Sequence, residues 1–142
     1  MLRKLLGVFV LTVLLLTACS TASQKDVNKM EPSELVQTFY ESGARKDYNT
    51  AKACLDNEYA TSTDGFKRYF KNVKKRRNIQ VSEFSNIPLY GENFLEGQVV
   101  VEYDATYKAI ITQEDGNQIR FVYVAKVKED SPWKIISIGT GP

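Results

Sequence analysis

The chain has 142 residues, of which 43% are hydrophobic and 25% charged. That composition fits one globular domain of moderate size and excludes collagen-like, coiled-coil, wholly disordered and multi-domain readings. Histidine is absent, which removes His-based catalytic triads, His-based metal sites and the usual near-neutral pH switch.

Arg3 and Lys4 form a short positive region, and Leu5 to Leu16 is an apolar run of twelve residues. A helix needs ~20 residues to span a bilayer core, so this run reads as the core of a signal peptide over residues 1–18. Leu16-Thr17-Ala18-Cys19 resembles the lipobox of bacterial lipoproteins. The resemblance implies a covalent diacylglycerol on Cys19 and cleavage after Ala18, hence an extracytoplasmic protein held to the cell membrane. A cysteine suits this chemistry because its thiolate is a good nucleophile. Two acyl chains anchor stably, at ~0.8 kcal/mol per buried CH₂.

Removing Arg3 and Lys4 with the signal leaves 17 basic against 17 acidic residues. The processed protein is therefore neutral, and neither that balance nor its location suits a nucleic-acid partner. With Cys19 lipidated, Cys54 has no disulfide partner. It reads as a small apolar core residue among Ala51, Ala53 and Leu55.

Residues 19–31 read as the lipidated cysteine and a flexible polar tether, and 32–142 as a single domain. A first helix starts near Pro32, with Glu34 in its first turn and Leu35, Val36, Phe39 and Tyr40 as its apolar stripe; Gly43 marks its end. Asp47 is placed to cap a second helix that turns Tyr48, Ala51, Cys54 and Leu55 inward. Asn57 to Ser62 reads as a loop. A third helix is expected from Asp64 to about Lys75, with Phe66, Tyr69, Phe70 and Val73 inward.

From Ile79 the apolar period changes from about 3.6 to 2. Ile79–Phe84 is a strand, with Pro88 near an edge or end. Leu95–Tyr107 is the strongest strand: Leu95, Gly97, Val99, Val101, Tyr103, Ala105 and Tyr107 share one face, and Val100, Glu102, Asp104 and Thr106 the other. Gly97 is the candidate bulge in so long a strand. A turn at Glu114–Asn117 leads to Gln118–Lys128, with Ile119, Phe121, Tyr123, Ala125 and Val127 on one side. Trp133–Ile138 follows. The expected fold class is α+β, three N-terminal helices packed on a curved antiparallel sheet.

This order resembles the cone-shaped nuclear transport factor 2-like superfamily. Val36, Phe39, Tyr40, Asp47, Tyr48 and Ala51, with the ending Trp133 to Pro142, are also similar to an uncharacterised group of bacterial lipoprotein domains within it. The resemblance covers roughly 32–142. It implies isomerase- or dehydratase-type enzymes as well as non-catalytic binding modules. Enzymes of the superfamily commonly use a His/Asp pair, absent here, or a tyrosine with a protonated carboxyl group inside the cone. Strand parity sets Tyr103 and Tyr107 on the face opposite Glu102 and Asp104. The expectation is a non-catalytic domain binding an unknown ligand or protein, with no catalytic residues, no metal and no cofactor beyond the covalent lipid. The alternative is a small acid/base enzyme on a hydrophobic substrate.

Seven basic residues and no acidic one lie between Lys67 and Arg77. On a helix, Lys67, Arg68, Lys71, Lys74 and Lys75 cover an arc of about 120°. The plain reading is a solvated face that keeps the protein soluble. The functional reading is contact with anionic lipid heads or an anionic wall polymer, worth ~1 kcal/mol per basic residue at a membrane.

Overall fold

The computed structural model describes residues 26–61, 70–109 and 114–141. The expected signal peptide, Cys19, the start of the expected third helix at Asp64, Phe66, Lys67, Arg68 and Tyr69 lie outside the described residues. Elements run in the order of a 3-10 turn at Val27–Lys29, α1 (Pro32–Ala44), α2 (Tyr48–Ala53), α3 (Asn57–Thr61), β1 (Val73–Val81), β2 (Leu95–Tyr107), β3 (Gly116–Lys126) and β4 (Lys134–Gly139). The four strands form one antiparallel meander in sequence order, so the sheet is open, with β1 and β4 at its edges.

α1 begins at Pro32, whose missing N–H costs nothing at that position. Leu35, Val36, Phe39 and Tyr40 are wholly or almost wholly buried, against β1 and β2. Burial of each such side chain contributes about 1.5–3 kcal/mol. Gly43 does not end the helix. It lies inside α1, where a Cβ would collide with the Phe70 ring; the chain reverses at Lys46, which takes a left-handed φ of 64°. The Asp47 side chain caps α2 by accepting the Thr50 N–H at 3.2 Å. The Thr50 side chain, and then this backbone bond, hold the Asp47 carboxyl below its ordinary range. Residues 57–61 form α3 rather than a loop. Asp56 starts it by accepting the Glu58 N–H at 2.9 Å.

The expected tether is partly folded. Asp26 caps the 3-10 turn through Asn28 N–H, Met30 is buried, Val27 packs on the core, and Asn28 Oδ1 accepts from Lys134 Nζ at 3.0 Å. Lys134 begins β4, so the chain enters the domain there.

β2 keeps strict alternation: Val99, Val101, Tyr103 and Ala105 are buried, with Tyr107 nearly so. Its register with β3 runs unbroken from Leu95 to Ala105, so Gly97 is not a bulge. Instead Gly97 admits the Phe84 ring and the Ser85 carbonyl, 2.5 Å from where its Cβ would stand. The bulges fall in β1, between Val73 and Lys75 and between Arg77 and Gln80, and opposite Tyr123 and Val124 on β3.

Two expectations are corrected in the strands. The third helix does not reach Lys75: residues 70–72 are helical, but β1 starts at Val73, because Val73 pairs with Tyr107 and Arg76 with Ala105. In β3 the core residues are Val122 and Val124, while Ile119, at 46% exposed, stands on the opposite side. Both faces of β3 carry apolar residues, so alternation alone did not identify the inward one.

Candidate functional site

Aromatic side chains pack on one another between α1 and the sheet. Phe39 meets Tyr40 edge-on at 5.2 Å between ring centroids and Phe70 at 5.4 Å. Tyr40 lies 5.1 Å from Tyr103, and at the other end Phe84 lies 5.3 Å from Trp133. Arg76 is buried in this interior. Its guanidinium stands 4.6 Å from the Tyr103 ring centroid, 4.9 Å from Tyr40 and 5.5 Å from Phe70. Aromatic faces attract a cation, more strongly when both are out of water.

Tyr103 and Tyr107 point into the core, whereas Glu102 and Asp104 point out. Glu102 accepts from Asn117 Nδ2 at 2.9 Å, and Asp104 from Asn78 Nδ2 at 2.6 Å. These two tyrosines and these two acids thus stand on opposite faces of β2. Among the described residues no cluster of His, Cys, Asp or Glu is arranged to hold a metal ion.

Open volume lies outside, at the end of the sheet where β2 and β4 begin. A cleft of about 710 Å³ there is flanked by Tyr59 of α3, Tyr90 and Glu92 of the β1–β2 connection, and Val127 and Ile136. Its size is that of a small-molecule site. A second cleft of about 420 Å³, between α2 and α3, shares Asp56 and Lys134 with it. Lys134 Nζ is fixed by Ala53 O at 2.7 Å and by Asn28.

One wall of the larger cleft is held by Glu96. Its carboxylate accepts the backbone N–H groups of Leu89, Tyr90 and Gly91 at 2.9–3.0 Å and those of Glu92 and Asn93 at 3.3 Å. Burial pushes its pKa up, but the N–H groups of Gly91, Tyr90 and Asn93 and the Asn93 side chain outweigh burial and hold it at about 2. The carboxylate thus clasps residues 89–93 over the sheet.

Cys54 is fully buried at the end of α2, with Sγ 3.4 Å from Thr50 O. Desolvation pushes its thiol up to about 12. The flanking backbone is stitched to β4: Ile135 N–H donates to Cys54 O and Asp56 N–H to Ile135 O, each at 2.9 Å.

Of the expected basic face, Lys71, Lys74 and Lys75 are exposed, but Lys74 and Lys75 belong to β1. The helical arc therefore does not form. The first bulge turns two successive lysines outward, and Arg77 is exposed beside them. These residues make a basic corner at the end of the sheet opposite the cleft. Reading the sequence missed two residues, Arg76 and Glu96. Nothing in a run of basic residues singles out the one that turns inward, and nothing before β2 marks Glu96 as a clasp.

The domain of unknown function DUF4829 matches residues 33–139. The chain belongs to the DUF4829 family. No curated protein and no solved structure matches it. The match begins within α1 and closes on β4, so it spans the sheet and both clefts. Among the described residues no helix is long and apolar enough to cross a membrane.

Proposed function

We propose that this DUF4829 protein is an extracytoplasmic lipoprotein, anchored by diacylglycerol on Cys19, whose domain is a non-catalytic binding module with a nuclear transport factor 2-like arrangement. The observation that carries the binding reading is the distribution of space. The interior under α1 is occupied by Phe39, Tyr40, Phe70 and Tyr103, while a cleft of about 710 Å³ stands open at one end of the sheet. Tyr59 and Tyr90 offer flat apolar faces there, and the Glu96 clasp preorganises one wall for a small ligand or a segment of a protein partner. The shifted pKa values of Asp47, Cys54 and Glu96 have structural causes: a helix cap, burial in the core and a loop clasp. The basic corner fits an anionic surface, lipid or wall polymer.

Metabolic labelling with a fatty-acid analogue tests the anchor: the wild type is expected to be labelled, and unchanged labelling of Cys19→Ser sinks it. For the cleft, the decisive experiment is a crystal structure of protein purified from its native membrane. Copurified density between Tyr59 and Tyr90 is expected; density beside Tyr103 under α1 restores the enzyme reading.

A further inference from the structure

Among the described residues, six large hydrophobic side chains are exposed, and four of them belong to segments at one end of the sheet, Ile87 falling between Ser85, bridged to Gln98, and Leu89, bonded to Glu96. Ile87 (50% exposed), Tyr90 (64%) and Phe94 (57%) ride on the β1–β2 connection, and Val127 (62%) follows β3. Tyr90 and Val127 flank the same cleft, and Phe94 immediately precedes β2, whose first residue Leu95 pairs with Lys126. Grouped apolar side chains of this kind mark a contact surface.

The chain enters at this same end. Asn28 is bonded to Lys134 at the start of β4, and Lys134 also lines the cleft. Only residues 20–25 separate Cys19 from Asp26, and six residues reach at most ~20 Å. On the anchored reading proposed above, this end is therefore the one held against the membrane. The basic corner is far from it: Lys134 lies level with Glu96 across β3, and Lys75 pairs with Thr106. Glu96 to Thr106 along β2 is roughly 33 Å, several times the ~8 Å over which salt leaves charge attraction effective.

We propose that the rim of Ile87, Tyr90, Phe94 and Val127 is a second membrane contact, seated in the uncharged part of the bilayer interface. Tyrosine favours that zone because its ring is apolar and its hydroxyl wet, and exposed apolar side chains gain by leaving water there. Around the rim and its cleft Asp56, Glu58, Glu92, Glu129 and Asp130 outnumber Lys126, Lys128 and Lys134, so the contact is stronger on zwitterionic than on anionic lipid. The basic corner then points away from the bilayer and faces the wall polymer.

The test uses the full-length lipidated protein in phosphatidylcholine vesicles containing spin-labelled lipid. An environment-sensitive dye is placed on Lys128→Cys, beside the rim, or on Lys75→Cys, at the basic corner. Several-fold stronger lipid quenching is expected at 128 than at 75, falling when phosphatidylglycerol replaces part of the zwitterionic lipid. Phe94→Ser with Val127→Ser, both at exposed positions, is expected to abolish the quenching at 128 while the protein stays on the vesicles. Equal aqueous emission at both sites, or quenching at 75 that rises with phosphatidylglycerol, overturns the proposal. Vesicle flotation of Cys19→Ser reports on the anchor separately. If that variant floats with its dye at 128 still quenched, the rim contact stands and the anchor falls.

Discussion

Strands β1 and β2 lie side by side, paired from Val73 against Tyr107 to Val81 against Val101. β2 sends every second residue into the core over Val99 to Tyr107. β1 turns Val73 in, Lys74 and Lys75 out, Arg76 in, then Arg77 and Asn78 out. The period of three follows from its two register shifts, and Asn78 takes a left-handed φ of 53° at the second. Each shift adds a residue that has no opposite number, so the faces exchange out of step. A strand's faces therefore belong to the pair, not to the strand alone. β2 has a uniform register with β3 to hold it; β1, at the edge, bends to bring Arg76 over the tyrosines.

The sharpest break would come at the centre of β2. Tyr103→Ala leaves a cavity against Tyr40 and Arg76, and is expected to lower the unfolding free energy by about 3–5 kcal/mol in urea melts. Arg76→Ala should cost about 2 kcal/mol or more, through lost contact with the aromatic faces and lost packing of the side-chain stem. If Arg76→Ala melts like wild type, β1 does not turn in at Arg76 and the comparison fails. Gly97→Ala should cost about 1–3 kcal/mol by driving a methyl into the Phe84 ring and the Ser85 carbonyl. Phe84→Ala recovers only part of this, because the carbonyl remains.

The Glu96 clasp gives a smaller, pH-dependent effect. Its folded pKa, about 2, is below its ordinary value of 4.5, so the unfolded chain binds a proton first as acid is added. The clasp's contribution is complete above about pH 4.5 and fades as the pH falls towards about 2. Thermal melts across that window should therefore fall more steeply for wild type than for Glu96→Gln. The smallest change is expected on the outward residues of β1: Lys74→Ala and Lys75→Ala should each shift stability by less than about 0.5 kcal/mol. A large loss from either would mean that the lysine turns inward at the Val73–Lys75 bulge.

How much was legible in the sequence follows the same division. α1, the Asp47 cap and the limits of β2 could be read locally, because Pro32, the stripe from Leu35 to Tyr40 and the alternation from Leu95 carry their own periods. β1 could not, because a run rich in lysine and arginine scores as a helix face until Tyr107 and Ala105 are known to be its partners. The inward face of β3 was ambiguous because Ile119 and Phe121 are as apolar as Val122 and Val124. The open cleft was out of reach altogether: α3, the β1–β2 connection and the β3–β4 hairpin build it from three parts of the chain, and the Glu96 clasp that shapes it depends on backbone N–H groups, which have no sequence signature.

Cys54 carries one further consequence. A thiol pushed up to about 12 by burial stays protonated at neutral pH, so oxidants and alkylating reagents meet almost no thiolate while the domain is closed. Reaction has to wait until α2 parts from β4 and the Ile135–Cys54 hydrogen bond breaks. The rate at which the native protein is alkylated is therefore a built-in clock for that one seam, readable without any introduced label and separable from global unfolding by its dependence on denaturant.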